Sequence, residues 1–147
     1  MVNNHKLKKV KTNKDWETYH RIRKKILFDN QGKTDYNKNH PDEKKENNYP
    51  FLLVFNNYAV GVVRIDIIPK EKIAHMRKVA IIEKEQGKGN GTILVNLVEK
   101  FAIEKNCKLI FVHSAPTSSN FYKKLRYKIV SNNKNNNEGP LMKKELM

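Results

Sequence analysis

Apolar residues recur at three- and four-residue steps from 14 to 28, the spacing that places side chains on one face of a helix. Thr12 or Asn13 stands before this stretch and can cap it, so an amphipathic helix is predicted. The next segment, 29–49, contains almost no apolar residues. A polar stretch of that length inside a compact domain is usually a functional flap or a disordered excursion, and both interpretations stay open.

The pattern then changes to that of β-strands. Segments 51–55 and 58–68 are rich in β-branched and aromatic residues, and the pair Asn56-Asn57 between them suits a two-residue turn. These features predict an antiparallel hairpin. A third strand is predicted over 72–82, with a strict alternation of the two sets Ile73, His75, Arg77, Val79, Ile81 and Ala74, Met76, Lys78, Ala80, Ile82.

The second half of the chain mixes helices with strands. The predicted elements are a helix from the glycines to about 106, a strand over 109–114, a short helix over 117–125, a strand over 127–130, an Asn-rich loop over 132–137 and a last strand over 140–146. The strand–helix–strand crossover should give one parallel pair. The expected fold class is therefore α+β, a mixed and mostly antiparallel sheet flanked by helices.

Length and composition indicate one domain spanning 1–147 with a real hydrophobic core, because 38% of the residues are hydrophobic. No apolar run reaches the length of a membrane span, and the first residues lack the apolar region of a signal peptide. A cytoplasmic protein without membrane association is expected. The single cysteine, Cys107, excludes an internal disulfide and is expected to be a small buried hydrophobe.

The net charge of +15 suggests nucleic acid as a partner, because clustered cations neutralise phosphates. However, 25 of the 30 basic residues are Lys, scattered along the chain, and Arg is the better reader of phosphates and bases. Nucleic acid is therefore not the expected main partner. The same positive field would steer an anionic small ligand to the protein.

Three glycines, at 87, 89 and 91, stand between the third strand and the following helix. A glycine-rich turn before a helix lets backbone N–H groups and the helix dipole converge on an anion, usually a phosphate. The spacing G-x-G-x-G fits neither the P-loop nor the dinucleotide fingerprint. The alternative is a turn that serves only geometry.

Two segments carry a resemblance to a known family, the GNAT family of N-acetyltransferases. "VAIIEKEQGKGNGTIL" resembles the family signature Q/R-x-x-G-x-G/A through Gln86, Gly89 and Gly91. "NFYKKLRYKIV" resembles its F-Y-x-x-x-G-F/Y segment, with matches at Phe121, Tyr122 and Tyr127. Two departures are Arg126, where the family usually has Gly, and Ala115, where many members have Asn. The resemblance implies a sheet that is splayed at an acetyl-CoA site.

The resemblance further implies acetyl-CoA as co-substrate, with no metal. The turn would wrap the pyrophosphate with main-chain N–H groups, and the pantetheine arm would lie along the preceding strand like an extra strand. The residues expected at this site are Val79, Ala80, Ile81, Gln86, Gly87, Lys88, Gly89, Asn90, Gly91, Thr92 and Tyr122. Lys88, Lys123 and Lys124 could add charge to the phosphates, the alternative being plain surface lysines.

Acetyl transfer to an amine needs a neutral nucleophile and a proton for the leaving thiolate. Tyr122, which matches the family's tyrosine, is the candidate acid, and its alternative role is packing on pantetheine. His113, at the carboxyl end of the strand 109–114, is the candidate base, because imidazole titrates in the right range. His75, Asp66 and ordered water remain alternatives.

The expected function is acetyl-CoA-dependent N-acetyl transfer to a primary amine of a small molecule or a protein, and a homodimer is one possible assembly. Two other functions stay open: a basic nucleic-acid-binding module, and a CoA-binding domain of the same fold without transferase activity. The segment 29–49 holds a third of the 15 acidic residues. Acids on such a flap would favour a cationic acceptor, unless they are merely solvated loop charges.

Overall fold

Seven strands form one mixed sheet in the computed structural model, which describes residues 4–115, 117–131 and 139–146. The strand order is β1-β2-β3-β4-β5-β7-β6, and each neighbouring pair is antiparallel except β4 and β5, which are parallel. The predicted fold class and the single parallel pair are confirmed. The elements are β1 (His5–Lys9), α1 (Asn13–Arg23), β2 (Asn48–Phe55), β3 (Tyr58–Ile68), β4 (Ile73–Ile81), α2 (Asn90–Glu104), β5 (Leu109–His113), α3 (Ser119–Lys124), β6 (Lys128–Ser131) and β7 (Leu141–Glu145).

The first helix begins where the capping pattern predicts. The Thr12 hydroxyl accepts a hydrogen bond from the Asp15 N–H at 3.0 Å, and the Asp15 carboxylate accepts one from the Thr12 N–H at 3.2 Å. This reciprocal pair satisfies two of the free N–H groups at the helix start. After Arg23 the helix continues as a π-helical turn, Lys24–Phe28, close to the predicted end.

The strand β1 is absent from the sequence prediction. It pairs with β2 at the edge of the sheet, with Leu7 opposite Leu53. Three of its five residues are lysines, so it lacks the hydrophobic alternation from which a strand is predicted. Lysines on an edge strand oppose further strand pairing, which explains why this composition suits the position.

Two hydrophobic clusters lie on opposite faces of the sheet. One contains the buried apolar residues of α2, among them Leu94 and Val98, together with Ile110 of β5. The other contains the buried apolar residues of α1, Tyr19 and Ile22. The sheet is therefore held between α1 on one face and α2 on the other.

A bulge in β4 breaks the predicted alternation of 72–82. Arg64 of β3 pairs with Arg77 and Val62 pairs with Ala80, so that two residues of β4 lie opposite one residue of β3. Lys78, within the bulge, has a positive φ of 57°. The alternation prediction is wrong beyond Arg77, because an extra residue moves each later side chain to the other face. The residues Ala74, Met76, Val79 and Ile81 consequently share the α2 face, and Ala80 lies on the α1 face.

The polar segment 29–49 forms an ordered loop rather than a disordered excursion. It contains two 3₁₀ turns, Asp29–Gln31 and Pro41–Lys44, and the Glu43 side chain within it is buried. The Asn-rich loop predicted over 132–137 lies outside the described residues. Among the residues that the structure does describe, no helix combines the length and apolar character needed to cross a membrane.

Candidate active site

The strands β4 and β5 pair over only four residues, from Ile73 with Leu109 to Met76 with Val112. Beyond Met76, β4 continues to Ile81 with no β5 partner. A cavity of about 1030 Å³ opens in this gap and extends to the glycine-rich turn. The splay that the family resemblance implies is thus present at the expected place.

The turn that closes one end of the cavity depends on two glycines in the left-handed conformation. Gly87 has a φ of 74° and Gly89 a φ of 85°, which other residues adopt with strain. No described atom outside their chain neighbours lies within 4 Å of a Cβ built on either glycine. Gly89 directly precedes α2, so the free N–H groups at the start of that helix face an open concave surface. This arrangement suits an anion such as a pyrophosphate.

Gly91 is required for a different reason. It lies in the first turn of α2, and a Cβ there would come within 3.2 Å of Cζ of Phe121. The absence of a side chain lets α2 and α3 approach each other at the cavity wall.

Two side chains hold the turn in place. Gln86 donates from Nε2 to the carbonyl oxygen of Ile81 at 2.9 Å, which ties the turn to the end of β4. Asn90 is buried and donates from Nδ2 to the Glu85 carbonyl oxygen at 2.9 Å. Its Oδ1 lies 2.8 Å from Nε2 of His5, so β1 also braces the turn. The sequence alone did not indicate this link to the N-terminal strand.

The structure brings nearly all of the predicted site residues to this one cavity. Lys88 is the exception: it points to Glu85 at 3.6 Å and does not line the cavity, and neither Lys123 nor Lys124 does so. The predicted residues that line it are Val79, Ala80, Ile81, Gln86, Gly87, Gly89, Asn90, Gly91, Thr92, His113 and Tyr122. The gap between strands, the glycine cradle and the cavity volume together fit an extended, phosphate-bearing molecule such as acetyl-CoA.

Tyr122 stands in the wall of the cavity on α3. Its ring is 5% exposed and packs edge-on against Phe121 and Tyr127. Burial raises the pKa of the Tyr122 hydroxyl to about 12, so the group is protonated at neutral pH. The hydroxyl makes no hydrogen bond to any residue that the structure describes.

The three candidate bases occupy different environments. His113 ends β5, is exposed and lines the cavity. His75 stacks on Phe111 with ring centroids 5.3 Å apart, outside the cavity lining, and burial lowers its pKa. Asp66 accepts two hydrogen bonds from Arg64, at 2.7 and 2.9 Å. Of the three side chains, His113 alone faces the cavity.

A buried array of arginines and a carboxylate joins α1, the loop after it and β3, and no sequence pattern indicated it. The Glu43 carboxylate accepts hydrogen bonds from Arg23 and, at 2.8 Å, from Arg64. Burial alone would raise the pKa of Glu43, but the Arg23 and Arg64 guanidiniums outweigh burial and lower it. Arg23 also donates to the Tyr19 hydroxyl at 2.8 Å. The expectation that Glu43 is a free acid on a flap is therefore wrong.

The two departures from the family pattern have different outcomes. Arg126 adopts a φ of 75°, and its N–H donates to the Lys123 carbonyl oxygen at 3.0 Å, so the turn after α3 forms without glycine. Ala115 lines the cavity with a methyl group that can make no polar contact. Within 4–115, 117–131 and 139–146, no cluster of three or more His, Cys, Asp or Glu side chains could hold a metal ion.

These features define the class of the domain: a splayed mixed sheet with a cavity between two parallel strands and a glycine-rich turn at one end of it. The model of the acetyltransferase (GNAT) family matches residues 14–127, and the chain belongs to this family. A stretch of 57 residues is 33% identical to glucosamine 6-phosphate N-acetyltransferase of Candida albicans, over 39% of this chain and 38% of that enzyme. The match thus spans well under half of that curated relative.

Solved structures of N-acetyltransferases have the same fold. An aminoglycoside 6'-N-acetyltransferase complexed with coenzyme A superposes with a TM-score of 0.80 at 15% identity, over all of this chain and 98% of that one. Spermidine N-acetyltransferase from Vibrio cholerae, in complex with CoA and spermine, gives a TM-score of 0.77 at 16% identity, over 97% of this chain and 95% of that one. At these identities the likeness establishes the fold.

Proposed function

We propose that the protein transfers the acetyl group of acetyl-CoA to a primary amine. The observation that carries this proposal is the gap between β4 and β5, which leads from the glycine turn to the wall formed by Tyr122. The family and the named relatives, all N-acetyltransferases, support it.

The glycine turn and β4 would hold the coenzyme mostly through the backbone. The N–H groups after Gly89 face the pyrophosphate, and the free edge of β4 from Val79 to Ile81 lies along the pantetheine arm. Because these contacts use main-chain atoms, side chains there need only leave space. Open space around Gly87 and Gly89 meets that requirement.

In the reaction a C–N bond forms at the thioester carbonyl, the C–S bond breaks, the amine loses one proton and the thiolate gains one. Tyr122 would supply a proton or a hydrogen bond to the leaving sulfur, since its buried hydroxyl is protonated and faces the cavity. His113, on the opposite strand end, is the proposed base for the amine proton, directly or through water. Proximity supplies most of the remaining rate enhancement, because the amine and the thioester lose their translational and rotational entropy on binding and not in the chemical step.

The test has a binding stage and a turnover stage. CoA should raise the melting temperature of the protein, whereas double-stranded DNA and RNA of similar charge should not. Release of free thiol from acetyl-CoA should then depend on an added primary amine. Stabilisation by nucleic acid without stabilisation by CoA would contradict the proposal. CoA binding with no acetylation of any primary amine in a broad panel would point to a binding domain without transferase activity.

A further inference from the structure

Positively charged side chains line one end of the cavity, the end remote from the glycine turn. Arg77 and Lys78 of β4 and Lys33 of the loop after α1 all belong to the lining. The Lys33 backbone is fixed by its N–H, which donates to the Phe28 carbonyl oxygen at 2.8 Å. Among the described lining residues the one carboxylate is that of Glu85, which lies at the glycine turn.

These cations are too far along β4 to serve the pyrophosphate. Arg77 and Ile81 pair with Arg64 and Gly61, which are three residues apart on β3, so at about 3.3 Å per residue Arg77 lies roughly 10 Å before the end of β4. The segment between them, Val79 to Ile81, is the one that the pantetheine arm would occupy. Arg77 and Lys78 therefore flank the place where the acceptor must enter.

The neighbouring acids neutralise only part of the charge at this end of the cavity. Glu43 is shared by Arg23 and Arg64, and Asp66 accepts two hydrogen bonds from Arg64. Asp66 also forms an ion pair with Arg77, with 3.4 Å between Oδ2 and Nε, although that buried nitrogen makes no hydrogen bond to a described residue.

The cations of this region outnumber its carboxylates by two, and one of the carboxylates, that of Asp42, is partly exposed and lies 4.0 Å from Arg64. The cations are Arg23, Lys33, Arg64, Arg77 and Lys78, and the carboxylates are Asp42, Glu43 and Asp66.

The bulge in β4 lies within the stretch that carries this charge. Arg77 and Lys78 both line the cavity, as do neighbours on either face of β4 such as Val79 and Ala80. Within the bulge Lys78 adopts a positive φ of 57°, a strained conformation for an L-residue. Desolvation and the cations Arg23, Lys33, Arg64 and Arg77 lower the pKa of Lys78. Lys78 is exposed and has no ion pair among the described residues, so its ammonium is accessible to a bound anion.

We propose that the acceptor carries an anionic group, a phosphate or a carboxylate, in addition to its amine, and that Arg77 and Lys78 bind this group. The proposal rests on the acetyl transfer proposed above and specifies the class of acceptor. It replaces the expectation of a polyamine-like acceptor, since an excess of positive charge repels a molecule that carries only ammonium groups. The two cations would hold the anion while the amine reaches the thioester.

The experiment compares acceptors that differ only in the anionic group. Glucosamine 6-phosphate is paired with glucosamine, and L-lysine with 1,5-diaminopentane. For each pair, kcat/KM is measured, and binding of the acceptor to the CoA-loaded protein is measured by calorimetry. The anionic member of at least one pair should be preferred about tenfold or more, and the pair that responds distinguishes phosphate from carboxylate.

Two variants and a matched control locate the effect. Lys78→Met and Arg77→Met should each reduce the preference for the anionic member about tenfold, in kcat/KM and in binding. Lys72→Met should leave the preference unchanged, because Lys72 is an exposed lysine with the same left-handed backbone, φ 58°, outside the cavity lining.

The two proposals fail in different ways. Preference for the member without the anionic group in both pairs, in turnover and in binding, would overturn the anion site while leaving acetyl transfer intact. Selective binding of the anionic member to wild type but not to Lys78→Met, with no acetylation of either, would support the site and overturn the transferase function.

Discussion

Glu43 accepts a hydrogen bond from Arg64 at 2.8 Å and thereby joins the polar loop after α1 to the central strand β3. Both side chains are almost fully buried, 4% and 9% exposed. The loop is thus anchored to the sheet by a buried ion pair. Removal of the Glu43 charge should lower the free energy of unfolding strongly, because it leaves a buried guanidinium without its partner.

Glu43→Gln is therefore expected to lower the free energy of unfolding at pH 7 by about 3 kcal/mol. The folded pKa of Glu43 is lowered, so its stabilisation is present above the unfolded pKa of about 4.3 and is lost as the pH falls through the folded pKa. The deficit of the variant should shrink below about pH 4. Urea unfolding across this pH range measures it. Asp29→Asn, which breaks an exposed pair with Lys24, is the control and should cost under about 1 kcal/mol.

Tyr122→Phe should lower turnover by about 100-fold to 10,000-fold and change the Kd for acetyl-CoA little, because the ring packing stays and only the proton donor is lost. Tyr127→Phe is the matched control. It removes another buried hydroxyl in the same aromatic group, one that donates to Glu99 at 2.8 Å away from the cavity lining. Wild-type turnover in Tyr122→Phe would assign that tyrosine to packing.

The role of Tyr122 as the acid also predicts how kcat/KM depends on pH on the alkaline side. With a pKa raised to about 12, the hydroxyl keeps its proton throughout the range from pH 6 to 10. The pH dependence of kcat/KM in Tyr122→Phe should therefore have the same shape as that of wild type over this range. A basic limb that disappears in the variant would show that Tyr122 titrates within the range.

Gly89→Ala should raise the Kd for CoA about tenfold to 100-fold, the value of one or two hydrogen bonds to a charged phosphate. The added Cβ would occupy the open surface that faces the pyrophosphate. Gly32→Ala separates this effect from backbone strain, since Gly32 has a similar φ of 70° and equally open surroundings but does not line the cavity. Equal losses of CoA affinity in the two variants would argue against a phosphate cradle at Gly89.

Arg126→Gly should stabilise the protein by about 0.5–1 kcal/mol. Relief of the left-handed conformation gains about 1–2 kcal/mol, and the greater freedom of glycine in the unfolded chain offsets part of it. A rise of about 2 °C in melting temperature is expected for a chain of this size. Asn106→Gly, at a φ of 66°, should gain less, because Asn tolerates this conformation better than Arg does. A destabilised Arg126→Gly would indicate that the Arg126 side chain makes a compensating contact.

Local patterns in the sequence were enough to predict the features that depend on neighbouring residues. The cap at Thr12 and the glycine turn are of this kind, since each depends on a few residues close together in the chain. The resemblance to the family extended this local information to Tyr122 and to the splay of the sheet.

Features that join distant segments escaped sequence reasoning. The strand β1 has too few apolar residues to be predicted from its sequence pattern. The bulge at Lys78 is defined by the pairing of β4 with β3, which the sequence of β4 alone does not contain. The buried position of Glu43 requires Arg23 and Arg64, from two other elements, to meet it. In the sequence Glu43 cannot be distinguished from the exposed acids around it.

The early end of the pairing between β4 and β5 divides the sheet into a block of four strands and a block of three, joined by only four residue pairs and by the crossover through α2. On the proposed function, the coenzyme fills the seam between the blocks and becomes a temporary member of the sheet. At a concentration 100 times its Kd, such a ligand adds about 2.7 kcal/mol to the stability of the fold. The lifetime of the protein in the cell would then follow the supply of its own co-substrate, with the chain more resistant to unfolding and proteolysis when acetyl-CoA is plentiful.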